Sequence, residues 1–392
     1  MAKVFLKRMN RRISGGHLWI FYNEILKVEG EYENGSVVDV FRPDGSFFGK
    51  GYINDNSKIR VRILTWKNEV IDRNFIKNRI ESALKRKKKL VKETTAFRVV
   101  HSEGDFLPGL IVDLFGDYLV FQITTLGMEK MKDWILDSLI EIFKPKGIYE
   151  KSEGTFREKE GLDNREEWVY GKGPELIEFE MNGFKFLADT RGQKTGFFLD
   201  QRENARMVMD LAEEKVCLDA FSYTGNFAVH LLKGGAKHVT LVDYSERALE
   251  VAREILKLNG FDSSSRYDLL PGNAFDILKS FDREGRKYDL VVLDPPSFAK
   301  SSSNLESARR GYKEINLRAM RILKKPGVLV TSSCTQIVSE ELFREILFDA
   351  SFDTKTSLTV LKRGGQPPDH PVLMNVPETQ YLKFYIFQVD KR

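Results

Sequence analysis

The chain has 392 residues, enough for two or three domains that each bury a hydrophobic core of their own. Its 62 lysines and arginines against 57 aspartates and glutamates give a net charge of +5, which permits a polyanionic partner without requiring one. Two cysteines are too few for a disulfide framework, and no apolar run approaches the roughly 18 residues that span a bilayer. The sequence also shows no apolar leader segment, so it predicts a globular, cytoplasmic protein.

The first segment, residues 1–68, predicts a small all-β module. Residues 37–53 have the pattern of a β-hairpin, with apolar runs on either side of a Pro-Asp-Gly turn. In the next strand, 59–64, apolar and cationic residues alternate, so the pattern places its two arginines on a solvent-facing side. Arginines rimming such a module are typical of a nucleic-acid contact surface, but ordinary surface charge explains them equally well. The candidate RNA contacts of this segment are Arg8, Arg11, Arg12, Arg60 and Arg62.

Residues 71–187 predict a central α+β domain, a further candidate for contact with the substrate. A helix begins near Ile71, and its far end is almost entirely basic, which suits the negative end of a helix dipole. Residues 151–174 are polar and glycine-rich and predict a loop or hairpin. The other predicted elements are strands at 97–100, 109–115, 118–123 and from 148, a helix at 129–143, and a hairpin at 177–187 around an Asn-Gly turn.

From residue 190 to residue 392 helices and strands alternate. This pattern is typical of a doubly wound, mostly parallel α/β sheet. The predicted helices are 202–211, 227–233, 246–258, 275–281, 308–323 and 339–348, and the predicted strands are 216–220, 239–242, 290–293 and 327–331, with two more closing the chain.

The strand at 290–293 is a continuous apolar run and predicts a segment buried on both faces of the sheet. It stops at Asp294, where Pro295-Pro296 prevents further ladder hydrogen bonds. A carboxylate in this position lies where open α/β sheets hold ligands. A lone Asp-Pro usually only caps a turn, but that explanation is weaker after so apolar a strand.

Three earlier strand ends also carry polar residues. Asp219 precedes a glycine-bearing turn, Asp243 ends the next strand, and Asn273 follows the third. The turn lacks the GxGxxG pattern of dinucleotide sites and the GxxxxGK[ST] pattern of nucleoside triphosphate sites. Four polar strand ends without a phosphate cradle fit a cofactor that has adenosine but no phosphates, such as S-adenosylmethionine.

Several motifs carry a family resemblance. DAFSYTG from Asp219, Asp243, and DPPSF from Asp294 resemble the motifs of class I S-adenosylmethionine-dependent methyltransferases. With GQKTGFFLDQR from Gly192 and the Ser-Ser-Cys that ends at Cys334, the chain resembles the PUA-domain-containing 23S ribosomal RNA cytosine-C5 methyltransferases over essentially its whole length. The resemblance implies an N-terminal all-β PUA domain, a central α+β domain and a Rossmann-like catalytic domain with a mostly parallel seven-stranded sheet. It also implies S-adenosylmethionine as cofactor, ribosomal RNA as partner and association into a homodimer.

The resemblance further assigns cofactor contacts. Thr195 and Phe198 would line the opening of the cofactor pocket, and Asp243 would bind the ribose. Asn273 would accept a hydrogen bond from the adenine amino group. Family members usually have Asp at this position, and an amide oxygen accepts the same hydrogen bond without charge assistance. The predicted cofactor contacts are Thr195, Phe198, Asp219, Ala220, Phe221, Ser222, Tyr223, Thr224, Gly225, Asp243, Tyr244, Ser245, Asn273, Ala274, Asp294 and Pro295.

Cys334 and Asp294 are the predicted catalytic pair. Cytosine C5 is not nucleophilic enough to attack a methyl sulfonium, but a thiolate that adds to C6 creates an enamine that is. Cys334 follows the strand at 327–331, at the same carboxyl edge as Asp294, which would hydrogen-bond N3 and protonate it. A free cysteine is most often simply buried, and Cys217, inside a strand, receives that interpretation.

Other hypotheses stay open at this stage. A guanine-N methyltransferase would share the Asp-Pro-Pro-Ser-Phe motif without needing a thiol, and a uracil-C5 methyltransferase would use Cys334 in the same way. A non-catalytic RNA-binding protein of the same fold is the third. Arg309 and Arg310 are further candidates for RNA contact. The five histidines are scattered without metal-ligand spacing, so no metal site is predicted.

Overall fold

The computed structural model describes residues 1–262, 265–299 and 304–392, without the side chain of Phe156. It divides the chain into two compact units that are each assembled from several segments. Unit 1 comprises Met1–Glu180, Ala188–Leu199 and Pro368–Thr379, and unit 2 comprises Met181–Leu187, Asp200–Pro367 and Gln380–Arg392. The three-domain division remains a prediction. None of the described helices combines the length and the apolarity that crossing a membrane requires.

Unit 1 begins with a six-stranded sheet. Alternate residues of its strands point into a small apolar core, in which Val4, Leu6 and Val40 are completely buried. The strand order is β2-β6-β5-β4-β1-β3, and the β1–β4 pair is parallel. Its elements are β1 (Lys3–Leu6), α1 (Arg11–Ser14), β2 (Trp19–Phe21), β3 (Ile25–Glu29), β4 (Val37–Phe41), β5 (Phe47–Ile53) and β6 (Ile59–Thr65).

A five-stranded sheet with four helices follows in unit 1. Asp72 starts the longest helix by accepting a hydrogen bond from the amide of Phe75 at 2.9 Å. The predicted helix at 129–143 is two helices, because the backbone at Met131 (φ −98°, ψ 6°) leaves the helical region. The elements are α2 (Arg73–Leu90), β7 (Ala96–His101), β8 (Leu110–Phe115), β9 (Tyr118–Ile123), α3 (Leu126–Lys130), α4 (Lys132–Phe143), β10 (Gly147–Ser152), α5 (Thr155–Lys159) and β11 (Arg165–Gly171), in the sheet order β11-β10-β9-β8-β7.

Arg62 corrects one prediction. The alternating pattern of β6 placed it on a solvent-facing side, but it is only 9% exposed. Its guanidinium lies 2.9 Å from the carboxylate of Glu160, which is itself buried and also accepts a hydrogen bond from Asn54 at 2.8 Å. The expected exposure was wrong because Glu160, which caps the C-terminus of α5 in a segment predicted as loop, supplies a buried counter-charge.

The chain passes from unit 1 to unit 2 within β12 (Leu176–Met181) and returns to unit 1 within β13 (Phe184–Asp189). Unit 2 then contains the mostly parallel sheet that the alternation predicted, with the seven strands that the resemblance implies, in the order β16-β15-β14-β17-β18-β20-β19. Its strands are β14 (Val216–Ala220), β15 (His238–Asp243), β16 (Tyr267–Pro271), β17 (Tyr288–Leu293), β18 (Leu323–Ser333), β19 (Thr356–Gly364) and β20 (Lys383–Lys391). Its helices are α6 (Arg202–Met209), α7 (Asn226–Lys233), α8 (Glu246–Leu258), α9 (Ala274–Arg283), α10 (Leu305–Ile322) and α11 (Glu340–Thr354).

The strand β17 is the centre of this sheet. Leu290 to Leu293 are completely buried, as their unbroken apolar run predicted. Strands β14 and β18 flank β17 in parallel, and β20 runs antiparallel to β18. The chain order reverses between β14 and β17, which makes this the switch point where open α/β sheets bind ligands.

The buried pair in unit 1 yields the first prediction. Glu160→Ala leaves the charge of Arg62 buried without a partner, so we expect the free energy of unfolding to fall by about 3 kcal/mol. Chemical denaturation of the full chain measures the change. Glu33→Ala is the matched control, because the Glu33–Lys130 pair at 2.9 Å has side chains 86% and 38% exposed. Little or no change in the free energy of unfolding is expected there, because solvent screens an exposed pair. Equal losses in the two variants would contradict the buried ion pair.

Candidate active site

Five parallel strands, β14 to β18, end at one edge of the unit 2 sheet. In the ladder Ala220 pairs with Leu293 on one side and with Val242 on the other. Leu293 in turn pairs with Thr331 of β18, and Asp243 with Pro271 of β16. The register therefore brings together the strand ends whose polar residues the sequence singled out.

Asp219 is completely buried at the end of β14. Its Oδ2 accepts a hydrogen bond from the amide of Ala228 at 3.0 Å, while Oδ1 has no hydrogen-bond partner in the described part of the chain. Burial raises the pKa of Asp219 well above its usual range, and the nearby carboxylates of Asp294 and Asp243 raise it further. A buried carboxylate with one unused oxygen is well suited to a cationic donor.

The turn after β14 has a strained backbone. Phe221 and Tyr223 have φ values of 65° and 46°, a region that side chains other than glycine rarely adopt, and Gly225 has φ 81°. The amide of Ser222 donates to the carbonyl of Val242 at 2.9 Å, which ties the turn to β15. Such strain persists where the surroundings impose it, and it concentrates at ligand sites.

This turn also contains buried polar groups. The hydroxyls of Ser222 and Thr224 are buried and have no hydrogen-bond partner among the described residues. Burying a hydroxyl without a partner is costly. Together with Oδ1 of Asp219, they give the start of α7 more buried donors and acceptors than this part of the protein satisfies.

Asp243 is fixed by backbone amides. One carboxylate oxygen accepts from Tyr223 at 2.8 Å and the other from Ser245 at 2.9 Å. Each oxygen keeps a second lone pair, so the group can still accept hydroxyl donors. The hydroxyl of Ser245 caps α8 by accepting from Ala248 at 3.1 Å, whereas the ring of Tyr244 is 84% exposed beside the carboxylate. Tyr244 is therefore free to stack on a planar group.

Asn273 has a structural role that the sequence analysis missed. Its side-chain oxygen accepts from the amide of Phe275 at 2.9 Å and caps α9. Asn before an apolar helical segment is a standard cap signal, so the pattern could have revealed this. Ala274, the first residue of α9, is buried. The adenine contact of Asn273 remains a prediction that relies on the second lone pair of the oxygen.

Asp294 receives two hydrogen bonds on the same oxygen. Oδ1 accepts from Nε2 of Gln201 at 2.7 Å and from the hydroxyl of Ser332. Among the described residues no donor reaches Oδ2. Burial raises the pKa of Asp294 to about 7, helped by the charge of Asp200 and opposed by the hydrogen bonds from Ser332 and Gln201. A proton on this carboxyl therefore belongs on Oδ2.

The orientation of Gln201 follows from its neighbour Asn204. The carbonyl of Gly365 can only accept, so the amide nitrogen of Asn204 must donate to it at 3.1 Å. The same nitrogen donates to Oε1 of Gln201 at 2.6 Å, which turns the amide nitrogen of Gln201 towards Asp294. Both side chains are buried, so this chain of donors is held in place. Neither Gln201 nor Asn204 was predicted as a site residue.

Cys334 lies beside Asp294. Its Sγ is 3.7 Å from the carbonyl oxygen of Pro295, and the side chain is partly exposed. The hydroxyl of the next residue, Thr335, forms a hydrogen bond with the hydroxyl of Tyr312 at 2.7 Å and accepts one from the amide of Phe298 at 3.1 Å. These bonds hold the segment around Cys334 against the segment that follows β17. The structure thus brings the predicted thiol and carboxylate to one place. Cys217, by contrast, is completely buried, and burial raises its pKa to about 12.

Lys383 adds a cation that the sequence analysis missed. Its buried Nζ donates to the carbonyls of Thr335 and Tyr381, both at 2.8 Å. Burial lowers the pKa of Lys383 to about 8, against the attraction of Cys334 and Glu340. Lys383 comes from β20, opposite Ser333 of β18. An ammonium group here favours the thiolate form of the neighbouring cysteine.

Two predicted cofactor residues belong to unit 1. Thr195 is buried, and its hydroxyl donates to Oδ2 of Asp113 at 2.6 Å. Asp113 also accepts two hydrogen bonds from the guanidinium of Arg98, at 2.9 and 2.8 Å. Phe198 is partly buried. Their role at the opening of a cofactor pocket remains a prediction.

The seven predicted RNA-contact arginines fall into two groups. Four are paired with carboxylates: Arg12 with Glu24, Arg60 with Asp55, Arg62 with Glu160, and Arg309 with Glu345 and Asp349. The other three, Arg8, Arg11 and Arg310, are exposed, and within the described ranges none of them has a carboxylate at ion-pair distance. Free, exposed guanidinium groups are available to phosphates, so these three are the stronger candidates.

Comparisons with known proteins agree with this architecture. The family profile described as "S-adenosylmethionine-dependent methyltransferase" matches residues 153–387, and the profile described as "PUA-like domain" matches residues 6–66. "Ribosomal RNA large subunit methyltransferase I" of Vibrio cholerae is 38% identical over 393 residues, covering 99% of each chain. The protein of the same name from Aeromonas salmonicida is 40% identical over 372 residues, covering 94% of each chain.

Solved structures share the fold along the whole chain. The structure described as "A putative sam-dependent methyltransferase from Streptococcus mutans" has a TM-score of 0.85 and 23% identity, covering 99% of this chain and 100% of that chain. A second structure, "SMU.776, a putative methyltransferase complexed with SAH", has a TM-score of 0.86 with the same identity and coverage. The mixed α/β fold class and the S-adenosylmethionine cofactor expected from the sequence are confirmed.

The residues at the strand ends fit this cofactor. The methionine end of S-adenosylmethionine carries an ammonium group, and Oδ1 of Asp219 is a buried carboxylate oxygen without a partner among the described residues. Asp243 keeps lone pairs for ribose hydroxyls, and the exposed ring of Tyr244 suits a purine face. The cofactor contacts of the individual residues remain proposals.

Asp219→Asn tests this fit. The amide keeps an oxygen for the amide of Ala228 but loses the charge that would hold the ammonium, so we expect S-adenosylmethionine to bind about 10- to 100-fold more weakly. Because the pKa of Asp219 is raised, the cofactor-free wild type loses stability relative to the variant as pH rises from about 4. Calorimetric titration and thermal unfolding measure both effects. Asp210→Asn, with a side chain 73% exposed, is the control. Unchanged affinity in Asp219→Asn would contradict the assignment.

Proposed function

The chain belongs to the family of S-adenosylmethionine-dependent methyltransferases, and we propose that it methylates C5 of a cytosine in 23S ribosomal RNA. The names of its relatives support a large-subunit ribosomal RNA substrate, and the PUA-like segment supports binding to structured RNA. The observation that carries the cytosine-C5 assignment is the partly exposed thiol of Cys334 beside the carboxyl of Asp294. No other cysteine is available, because Cys217 is buried.

In the proposed mechanism Cys334 acts first. The target base is flipped out of the RNA and held over the Asp-Pro-Pro turn. The thiolate of Cys334 adds to C6 and breaks the C5–C6 double bond. The displaced π electrons make C5 nucleophilic. The bound cofactor supplies an electrophilic methyl group for C5. Loss of the C5 proton to solvent water then restores the double bond and expels the thiolate, so Cys334 is regenerated.

Asp294 is the acid in this proposal. Its two hydrogen-bonded neighbours both donate to Oδ1, which leaves a proton on Oδ2 for N3 of the base. N3 returns this proton to Oδ2 when the thiolate leaves, so Asp294 is regenerated as well. A carboxyl whose pKa lies near 7 is protonated in about half of the molecules at neutral pH, which is favourable for general acid catalysis. Lys383, which interacts electrostatically with Cys334, would favour its thiolate form.

The alternatives differ in their need for the thiol. A guanine-N methyltransferase would use the Asp-Pro-Pro turn and would leave Cys334 idle, and a non-catalytic RNA-binding protein would use neither residue. A uracil-C5 enzyme would share the addition of the Cys334 thiolate to C6 but not the protonation of N3 by Asp294, because N3 of uracil already carries a proton. The position of Cys334 beside Asp294 favours a C5 enzyme over the first two.

Cys334→Ala tests the proposed reaction. We expect methyl transfer to ribosomal RNA from cells lacking the protein to fall at least about 1,000-fold, because the nucleophile is gone, while cofactor binding is unchanged. Transfer of labelled methyl groups measures activity, and mass spectrometry of nucleosides identifies the product. Cys217→Ala is the matched control. Retained activity in Cys334→Ala, or a methylated guanine product, would contradict the proposal, and methylated uracil would replace cytosine as the target.

Ser332→Ala tests the role of Asp294. The hydrogen bond from Ser332 lowers the pKa of Asp294, so its removal raises that pKa and keeps the carboxyl protonated to higher pH. We expect the descending limb of the pH profile of kcat/KM, near pH 7 in the wild type, to move upward by about one pH unit. Ser333→Ala is the control, because its hydroxyl makes no hydrogen bond to Asp294. A descending limb that stays in place would rule out Asp294 as the acid.

A further inference from the structure

Unit 1 contains a cavity with none of the residues assigned to catalysis or to the cofactor. It has a volume of about 550 Å³ and lies between the end of β6 and the first turns of α2. Its lining includes Trp66, Lys67, Phe75, Arg79 and Phe106. A volume of this order accommodates one small organic ligand or one nucleotide.

Two aromatic side chains form one wall. Trp66 is 36% exposed, and its ring meets the ring of Phe106 edge-on, with centroids 6.0 Å apart. Within the described ranges the indole N–H of Trp66 has no hydrogen-bond partner. Phe106 has φ 58°, a conformation that a phenylalanine adopts only when its surroundings enforce it. An exposed tryptophan braced by a strained aromatic residue is a preformed stacking platform.

Arg79 supplies an unbalanced charge. Its guanidinium lies 5.0 Å from the ring centre of Phe75 and 5.4 Å from that of Phe106, and it donates one hydrogen bond, to the carbonyl of Leu64 at 2.9 Å. Burial lowers the pKa of Arg79, against the attraction of Glu69, but no described carboxylate lies at ion-pair distance. A half-buried guanidinium that keeps most of its five donors is suited to an external anion.

Arg79 is partly buried, and it differs in this respect from the three arginines of the described chain that are at most 9% exposed. Each has a carboxylate partner within the described residues: Arg62 with Glu160, Arg157 with Glu129, and Arg202 with Glu203. The two acidic residues of the cavity have local partners instead. Glu69 accepts from the hydroxyl of Thr65 at 2.5 Å, and Asp72 accepts from the amide of Phe75 at 2.9 Å.

We propose that this cavity, which we call the Trp66–Arg79 pocket, binds one unpaired nucleotide of the RNA substrate. The base stacks on Trp66, and its phosphate pairs with Arg79 and with the exposed Lys67. An aromatic face next to a free guanidinium matches the two parts of a nucleotide better than it matches a peptide or a lipid. The inference rests on the proposed function in one respect only, that the ligand is RNA. A flipped or loop nucleotide held here would fix the position of the RNA relative to unit 1.

Three variants of the full-length protein test the pocket. Trp66→Ala removes the platform, Arg79→Met removes the charge but keeps the aliphatic stem, and Trp66→Phe keeps a smaller platform. The readouts are the dissociation constant for transcribed 23S ribosomal RNA and the KM and kcat for its methylation. We expect Trp66→Ala and Arg79→Met each to raise the dissociation constant and KM about tenfold, with kcat and cofactor affinity unchanged, and Trp66→Phe to restore most of the affinity. Arg79→Met should also lower the salt dependence of binding by about one counterion.

Arg73→Met is the matched control on the same helix. Arg73 is paired with Glu141 at 2.9 Å and lies outside the cavity, so its loss should leave RNA binding within about twofold of the wild type. If Trp66→Ala fails to fold, as thermal unfolding would reveal, Arg79→Met and Trp66→Phe decide the question. Arg79→Met that binds RNA like the wild type, with the same salt dependence, would overturn the pocket. RNA binding that depends on the pocket without any cytosine methylation would leave the pocket intact and overturn the proposed function.

Discussion

The candidate site depends on the parallel register of β14, β17 and β18. Ala220 pairs with Leu293, and Leu293 pairs with Thr331, so the three strands end side by side. The ladder hydrogen bonds that β17 makes with both of its neighbours define this register, and they are shielded from water because Leu290 to Leu293 are completely buried. A slip of one residue would turn those side chains over and separate Asp294 from the hydroxyl of Ser332. The hydrophobic core of unit 2 is therefore also what holds the carboxyl and the thiol together.

Several buried polar groups at this edge of the sheet lack a hydrogen-bond partner or have a shifted pKa, which lowers the stability of the protein. Asp219 keeps a buried oxygen without a partner in the described residues, Asp294 keeps its proton up to a pH near 7, and Lys383 is buried with a lowered pKa. Each arrangement costs folding free energy in the protein without ligands. The two carboxyl groups become favourable when a ligand brings the missing partner, an ammonium for Asp219 or a ring nitrogen for Asp294. Polar groups fixed in advance in this way need little reorganisation during reaction.

The sequence predicted what local patterns determine and missed what depends on tertiary contacts. The helix at Glu246–Leu258 and the strand at Val216–Ala220 were predicted with the observed bounds, because apolar period and turn signals mark them. Arg62 was misjudged, because alternation along β6 cannot reveal the carboxylate of Glu160, which lies 98 positions further along the chain, just after α5. Lys383 and Gln201 escaped for the same reason. Gln201 lies within a motif that the resemblance singled out, but its contact with Asp294 joins residues 93 positions apart.

The central claim is that the sulfur of Cys334 attacks the base that is methylated. Ribosomal RNA transcribed with 5-fluorocytidine tests it directly, because after thiolate addition and methyl transfer C5 carries fluorine and has no proton to lose, so the covalent adduct persists. With S-adenosylmethionine present, the account predicts a peptide containing Cys334 that is cross-linked to one 5-fluoro-5-methyl nucleotide, and no such adduct from Cys334→Ala. Normal turnover on natural RNA without any adduct on the fluorinated RNA, or an adduct at Cys217, would contradict the account.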